Sequence, residues 1–103
     1  MAEVDELAIR LEEVASTLDG ITRRAVESGV EYATGGRVFA MVEPGRASFR
    51  LRPDVAEAAL NTPDVRAGDR GPGWVSLAPA EPDRFALDRA ISWFAAAARY
   101  AGS

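Results

Sequence analysis

Between Val30 and Leu51 the chain holds three short runs that alternate apolar and polar residues, joined by two turns whose chemistry is explicit. Val30, Tyr32 and Thr34 stand against Glu31 and Ala33, and Gly35-Gly36 closes the run. Val38 to Val42 is apolar at every position, which predicts a strand buried on both faces or central in a sheet. In Glu43-Pro44-Gly45-Arg46, Pro presets φ at the second turn position and Gly accepts a positive φ at the third, the type II signature. The next run puts Ala47, Phe49 and Leu51 on one face and Ser48, Arg50 and Arg52 on the other, a period of two. The pattern predicts a three-stranded antiparallel meander.

The flanking segments change period. Val4, Leu7, Ala8, Leu11, Val14, Ala15 and Leu18 recur at three- and four-residue intervals, the stripe of an amphipathic helix, with Gly20 expected at the C′ position. Ile21 to Gly29 fits either a strand or an irregular crossing. Arg52-Pro53-Asp54 opens a second helix with Pro in the first turn; Val55, Ala56, Ala59 and Leu60 form its narrow apolar face, and Asn61-Thr62-Pro63 stops it. Asp64 to Gly73 is mainly loop, with Val65 to Ala67 as a candidate short strand, and Trp74 to Ala78 alternates as a strand. Pro79 and Pro82 bracket a connector. Asp83 caps a last helix whose stripe runs Leu87, Ala90, Ile91, Phe94 and Ala98, widened by Trp93, Ala97 and Tyr100. Elements segregated in this order predict an α+β two-layer sandwich, an antiparallel sheet with helices on one face. With 103 residues and 48% hydrophobic content, one domain spanning 1–103 is expected, burying roughly 60 to 70% of its unfolded surface.

Composition excludes more than it assigns. Neither Cys nor His is present, so there is no disulfide framework, thiol nucleophile or imidazole base, and no metal or cofactor is implied. The serines have neither His nor Lys to activate them, and the carboxylate pairs Glu12-Glu13 and Glu27 with Glu31 have no evident apolar pocket to raise a pKa, so the reading is a non-enzyme. No apolar run approaches the ~20 residues of a membrane span and the acidic start is unlike a signal peptide, so a cytoplasmic protein without membrane contact is expected.

Every basic residue is Arg, a pattern that follows from coding bias or from a use of planar guanidinium groups for carboxylate and phosphate recognition. Charge is uneven: residues 1–20 carry six carboxylates against Arg10 alone, whereas residues 21–52 carry six arginines against Glu27, Glu31 and Glu43, within an overall net charge of −4. Gly35-Gly36-Arg37 has the look of a phosphate loop but lacks the helix and Lys that such a loop needs, so a hairpin turn is the expectation. The candidate binding residues for nucleic acid or another anion are Arg37, Arg50, Arg52, Arg66 and Arg70, with Trp74 as a stacking surface. The competing reading is a solvated strand face on which arginines pair with Glu31, Glu43 and Asp54.

Several of these stretches together resemble the MmcQ/YjbR-like family of small bacterial proteins. Gly29-Val30-Glu31-Tyr32 followed by Gly35-Gly36-Arg37-Val38-Phe39-Ala40 is similar to the family's strand, Gly-Gly-Lys turn and apolar strand. Phe49-Arg50-Leu51-Arg52-Pro53-Asp54 resembles its strand-to-helix junction, and Gly71-Pro72-Gly73-Trp74-Val75 its Gly-His-Pro-Trp-Val. The resemblance covers nearly the whole chain and implies a secretion-chaperone-like order of helix, three strands, helix, two strands, helix, with Val65 to Ala67 as the extra strand. It also implies a DNA-binding label. The chain departs from the family pattern in having Arg37 for Lys, Gly73 where Pro precedes Trp, and no His in that motif. A non-enzymatic nucleic-acid-binding domain is the resulting expectation, with a protein-interaction module, as a homodimer through the Trp93 and Tyr100 helix face, or a small-ligand domain as alternatives.

Overall fold

A computed structural model of the chain describes residues 5–81 and 83–102; Val4 of the first stripe and Pro82 of the connector lie outside them. The described residues form α1 (Glu6–Thr17), β1 (Ile21–Val26), β2 (Gly29–Thr34), β3 (Arg37–Glu43), β4 (Arg46–Arg50), α2 (Pro53–Ala59), β5 (Val65–Ala67), β6 (Trp74–Leu77) and α3 (Arg84–Gly102). One antiparallel sheet has the order β1-β2-β3-β4-β6-β5. The α+β architecture and the helix order follow the sequence pattern, with one strand more than expected: the ambiguous segment after α1 is β1, hairpinned to β2.

Local chemistry explains most boundaries. Asp5 caps α1 by accepting the Ala8 N–H through Oδ1 (3.1 Å), and its Oδ2 accepts the Gly45 N–H (3.1 Å), which ties the helix start to the β3–β4 turn. Leu18 is the C-cap of α1, so the helix stops a residue earlier than the expectation for Gly20, which instead turns the chain into β1. Gly35 and Gly36 both have positive φ, 57° and 80°, the conformation that a two-residue hairpin between Thr34 and Arg37 needs. Gly29 is required for a different reason: a Cβ there would lie 2.0 Å from the Val42 carbonyl oxygen. The Ala86 N–H donates to Asp83 Oδ1 (2.9 Å), so α3 has the cap its sequence predicts.

The helices lie on one face of the sheet. Leu7 and Leu11 of α1, Ala56 and Ala59 of α2, and Ala90, Phe94 and Ala97 of α3 share a buried cluster with Tyr32, Phe39, Phe49, Val75 and Leu77. Phe94 stands edge-on to Tyr32 and Phe39, ring centroids 5.1 and 5.2 Å away. Strand β3 reaches that cluster through a bulge: Ala40 pairs with Tyr32 and Val38 with Ala33, leaving Phe39 unpaired between them. Phe39 and Ala40 therefore both face the helices while Met41 turns to the other side. Among the described residues, no helix is long and apolar enough to cross a membrane.

Candidate binding face of the sheet

Strand pairing fixes what the other face displays. Side chains opposite one another in adjacent strands share a face. The register Arg24↔Glu31, Glu31↔Met41, Met41↔Ser48, Ser48↔Ser76 and Ser76↔Arg66 therefore draws one row across all six strands, from β1 to β5. An arginine ends the row on each side. Arg46 and Glu43 lie beside it on the same face, the Arg46 guanidinium donating to Glu43 Oε1 through Nε (3.2 Å) and Nη2 (2.6 Å). That carboxylate stabilises the protonated guanidinium and raises its pKa.

Glu31 is the electrostatic centre of this face. Its Oε1 accepts from Arg24 (2.7 Å) and its Oε2 from Arg70 (3.0 Å), with the carboxylate side chain only 12% exposed. The hydrogen bond from Arg70 is the largest cause holding its pKa below the ordinary value; burial opposes it, and the bond and charge of Arg24 add to it. The Arg70 guanidinium also lies 5.3 Å from the centroid of the Trp74 ring. Beside the β5 end of the row, Arg46, Asp64, Arg66, Asp69 and Ser76 line a groove of about 440 Å³.

The structure separates the six residues singled out in the sequence. Arg66, Arg70 and Trp74 belong to this face, and Arg66 makes no ion pair among the described residues. Arg37 is exposed at the tip of the Gly35-Gly36 hairpin, likewise without an ion pair to a described residue. Arg50 occupies an open-face position in the ladder opposite Trp74, yet it ends the strand and its guanidinium lies 5.3 Å from the Tyr100 ring centroid on α3. Arg52 is the N-cap residue of α2 and pairs with Asp54 at 3.4 Å in solvent. Glu31, Glu43 and Asp54, the carboxylates of the competing sequence reading, are each paired with arginine: Glu31 with Arg24 and Arg70, Glu43 with Arg46, and Asp54 with Arg52. Arg24 was not among the candidates because the strand that carries it was unassigned; the register across β1 and β2 supplies it.

Compared with protein-family models, with curated proteins and with solved structures, the chain matches none.

Proposed function

We propose that this chain is a non-enzymatic binding domain of the MmcQ/YjbR-like kind and that its ligand is nucleic acid, held along the helix-free face of the sheet. The observation that carries the reading is the placement of Arg24, Arg46, Arg66 and Arg70 with Trp74 on that one face. Four guanidinium groups suit phosphate oxygens, and an indole suits a base face. Arg37, free of ion pairs among the described residues, stands opposite Thr34 at the hairpin tip, a helix-side register position, and is not part of this array. The net charge of −4 repels a polyanion at long range, so contact rests on this local array and falls steeply with salt.

The test is fluorescence anisotropy with a labelled single-stranded oligonucleotide between about 20 and 200 mM salt. Binding at low salt that weakens in Arg66→Ala and Arg46→Ala, and keeps its strength in Arg52→Ala, is the expected result. No binding at the lowest salt, or equal binding by all four proteins, overturns the reading.

A further inference from the structure

Three side chains on the helix-free face are buried although no helix covers them: Met41 is 4% exposed, Ser48 7% and Trp74 9%. Met41 and Trp74 do not belong to the helix-side cluster. Something else shields them, and the path of Arg70 identifies it. Arg70 belongs to the loop joining β5 to β6, whereas Glu31 is on β2; from β6 the sheet order runs through β4 and β3 to β2. Three strand spacings are about 14 Å, farther than an arginine side chain reaches by itself. The loop and the Arg70 side chain together therefore cross β4 and β3, over the side of Ser48 and Met41, to make the 3.0 Å Arg70–Glu31 contact.

We propose that residues 69–72 form a strap over this face, fastened by Arg70 on Glu31, and that its release uncovers a Met41, Ser48 and Trp74 platform, bounded by Arg24 and Arg66, on which an extended polyanion lies. The ligand in this statement rests on the nucleic-acid reading above; the strap does not. Its base is secured by backbone hydrogen bonds, Gly68 N–H to the Trp74 carbonyl (2.8 Å) and Trp74 N–H to the Gly71 carbonyl (3.2 Å). Its tip is tied to the sheet by side chains: Arg70 to Glu31 and Trp74, and the charge of Asp69 near Arg46. Arg70 is 36% exposed, and an ion pair with one wet partner is a weak fastening. Glu31 engages Arg24 and Arg70 together, one oxygen to each, which is also how two oxygens of a phosphate would engage them. The same carboxylate thus closes the strap and competes with a ligand for both guanidinium groups.

Met41 provides a local readout, because the other methionine, Met1, falls in a different peptide. The rate of Met41 oxidation by dilute peroxide, followed by peptide mass spectrometry, is compared in the wild type, Glu31→Gln and Arg70→Gln. Glu57→Gln on the exposed face of α2 controls for the change in net charge made by Glu31→Gln, Arg70→Gln changes it in the opposite direction, and far-UV circular dichroism shows that each variant is folded. Severalfold faster oxidation in Glu31→Gln and Arg70→Gln, but not in Glu57→Gln, is expected; an unchanged rate in both strap variants overturns the strap. Oligonucleotide anisotropy on the same proteins separates the two ideas. Tighter binding by Glu31→Gln than by Glu57→Gln supports the whole proposal. Faster oxidation with no binding by any variant leaves the strap standing and removes the nucleic-acid ligand.

Discussion

Phe94 is the residue through which α3 positions the strands that carry Glu31 and Met41, and its replacement by Ala has a consequence that can be worked out. The ring is fully buried and stands edge-on to both Tyr32 and Phe39. Truncating a buried Phe costs about 3 to 5 kcal/mol in lost transfer free energy and residual cavity. The backbone around this site has little room to collapse, because Tyr32 and Phe39 are fixed by the β2–β3 ladder and the bulge. A chain of 103 residues has a total stability on the order of 5 to 15 kcal/mol, so the variant loses between a fifth and all of it. With about 4 to 8 °C lost per kcal/mol, the midpoint falls by roughly 12 to 40 °C. Thermal unfolding followed by far-UV circular dichroism measures this, with Phe94→Leu expected to recover more than half of the loss. A double-mutant cycle with Tyr32→Leu should return a coupling of about 0.5 to 1.5 kcal/mol for the edge-on pair. A midpoint for Phe94→Ala within about 5 °C of the wild type, on the same conversion, would refute the claim that this ring joins the two layers.

Gly29→Ala places a Cβ against the Val42 carbonyl, backbone that cannot rotate away, so it should lower the urea midpoint by an amount equivalent to roughly 1 to 3 kcal/mol or more; Gly36→Asn, at an open position that favours a left-handed residue, should leave the midpoint nearly unchanged, and equal effects would count against the close approach. Acid provides the third check. Because Glu31 in the folded chain is held below its ordinary value of 4.5, it takes up a proton less readily than in the unfolded chain. Its contribution is thus complete above that value and fades as pH falls through the lowered one. Urea unfolding of the wild type and Glu31→Gln should show the larger gap at about pH 6 and a smaller one near pH 3; a gap independent of pH would contradict the role given to Arg70 and Arg24.

Most of the fold was legible because one face is apolar and the turns are chemically explicit. Pro44-Gly45 and Gly35-Gly36 fix two hairpins, and period two in Ala47, Phe49, Val75 and Leu77 points the helix side inward. Strand β1 was not legible: from Thr22 to Ala25 it is exposed on both sides, so burial imposes no alternation on its residues. The continuous apolar run Val38–Val42 gave centrality but not the bulge, which is what allows Phe39 and Ala40 to serve one face together. For the binding face, the sequence put Arg66 and Arg70 in a loop beside Trp74 and offered Val65 to Ala67 only as a candidate strand, which is β5. It could not find the Arg70–Glu31 contact, since 39 residues separate the partners and only the crossing order of the strands brings them within reach. Arg50 alternates correctly with Phe49, but the end of a strand leaves a long side chain free to curl around the sheet, and Tyr100 receives it.

Strand β1 also bears on self-association. As an outer strand it offers a row of unpaired amides and carbonyls, the usual seam for edge-to-edge joining. Two copies paired antiparallel about a dyad set a residue opposite its own copy, so a dyad near the middle of the strand brings Arg23 against Arg23 or Arg24 against Arg24, like charges directly across the ladder. Sliding to avoid both clashes gives up part of the seam. At its other margin the sheet ends in β5, only three residues long, so neither border is suited to growing a fibre.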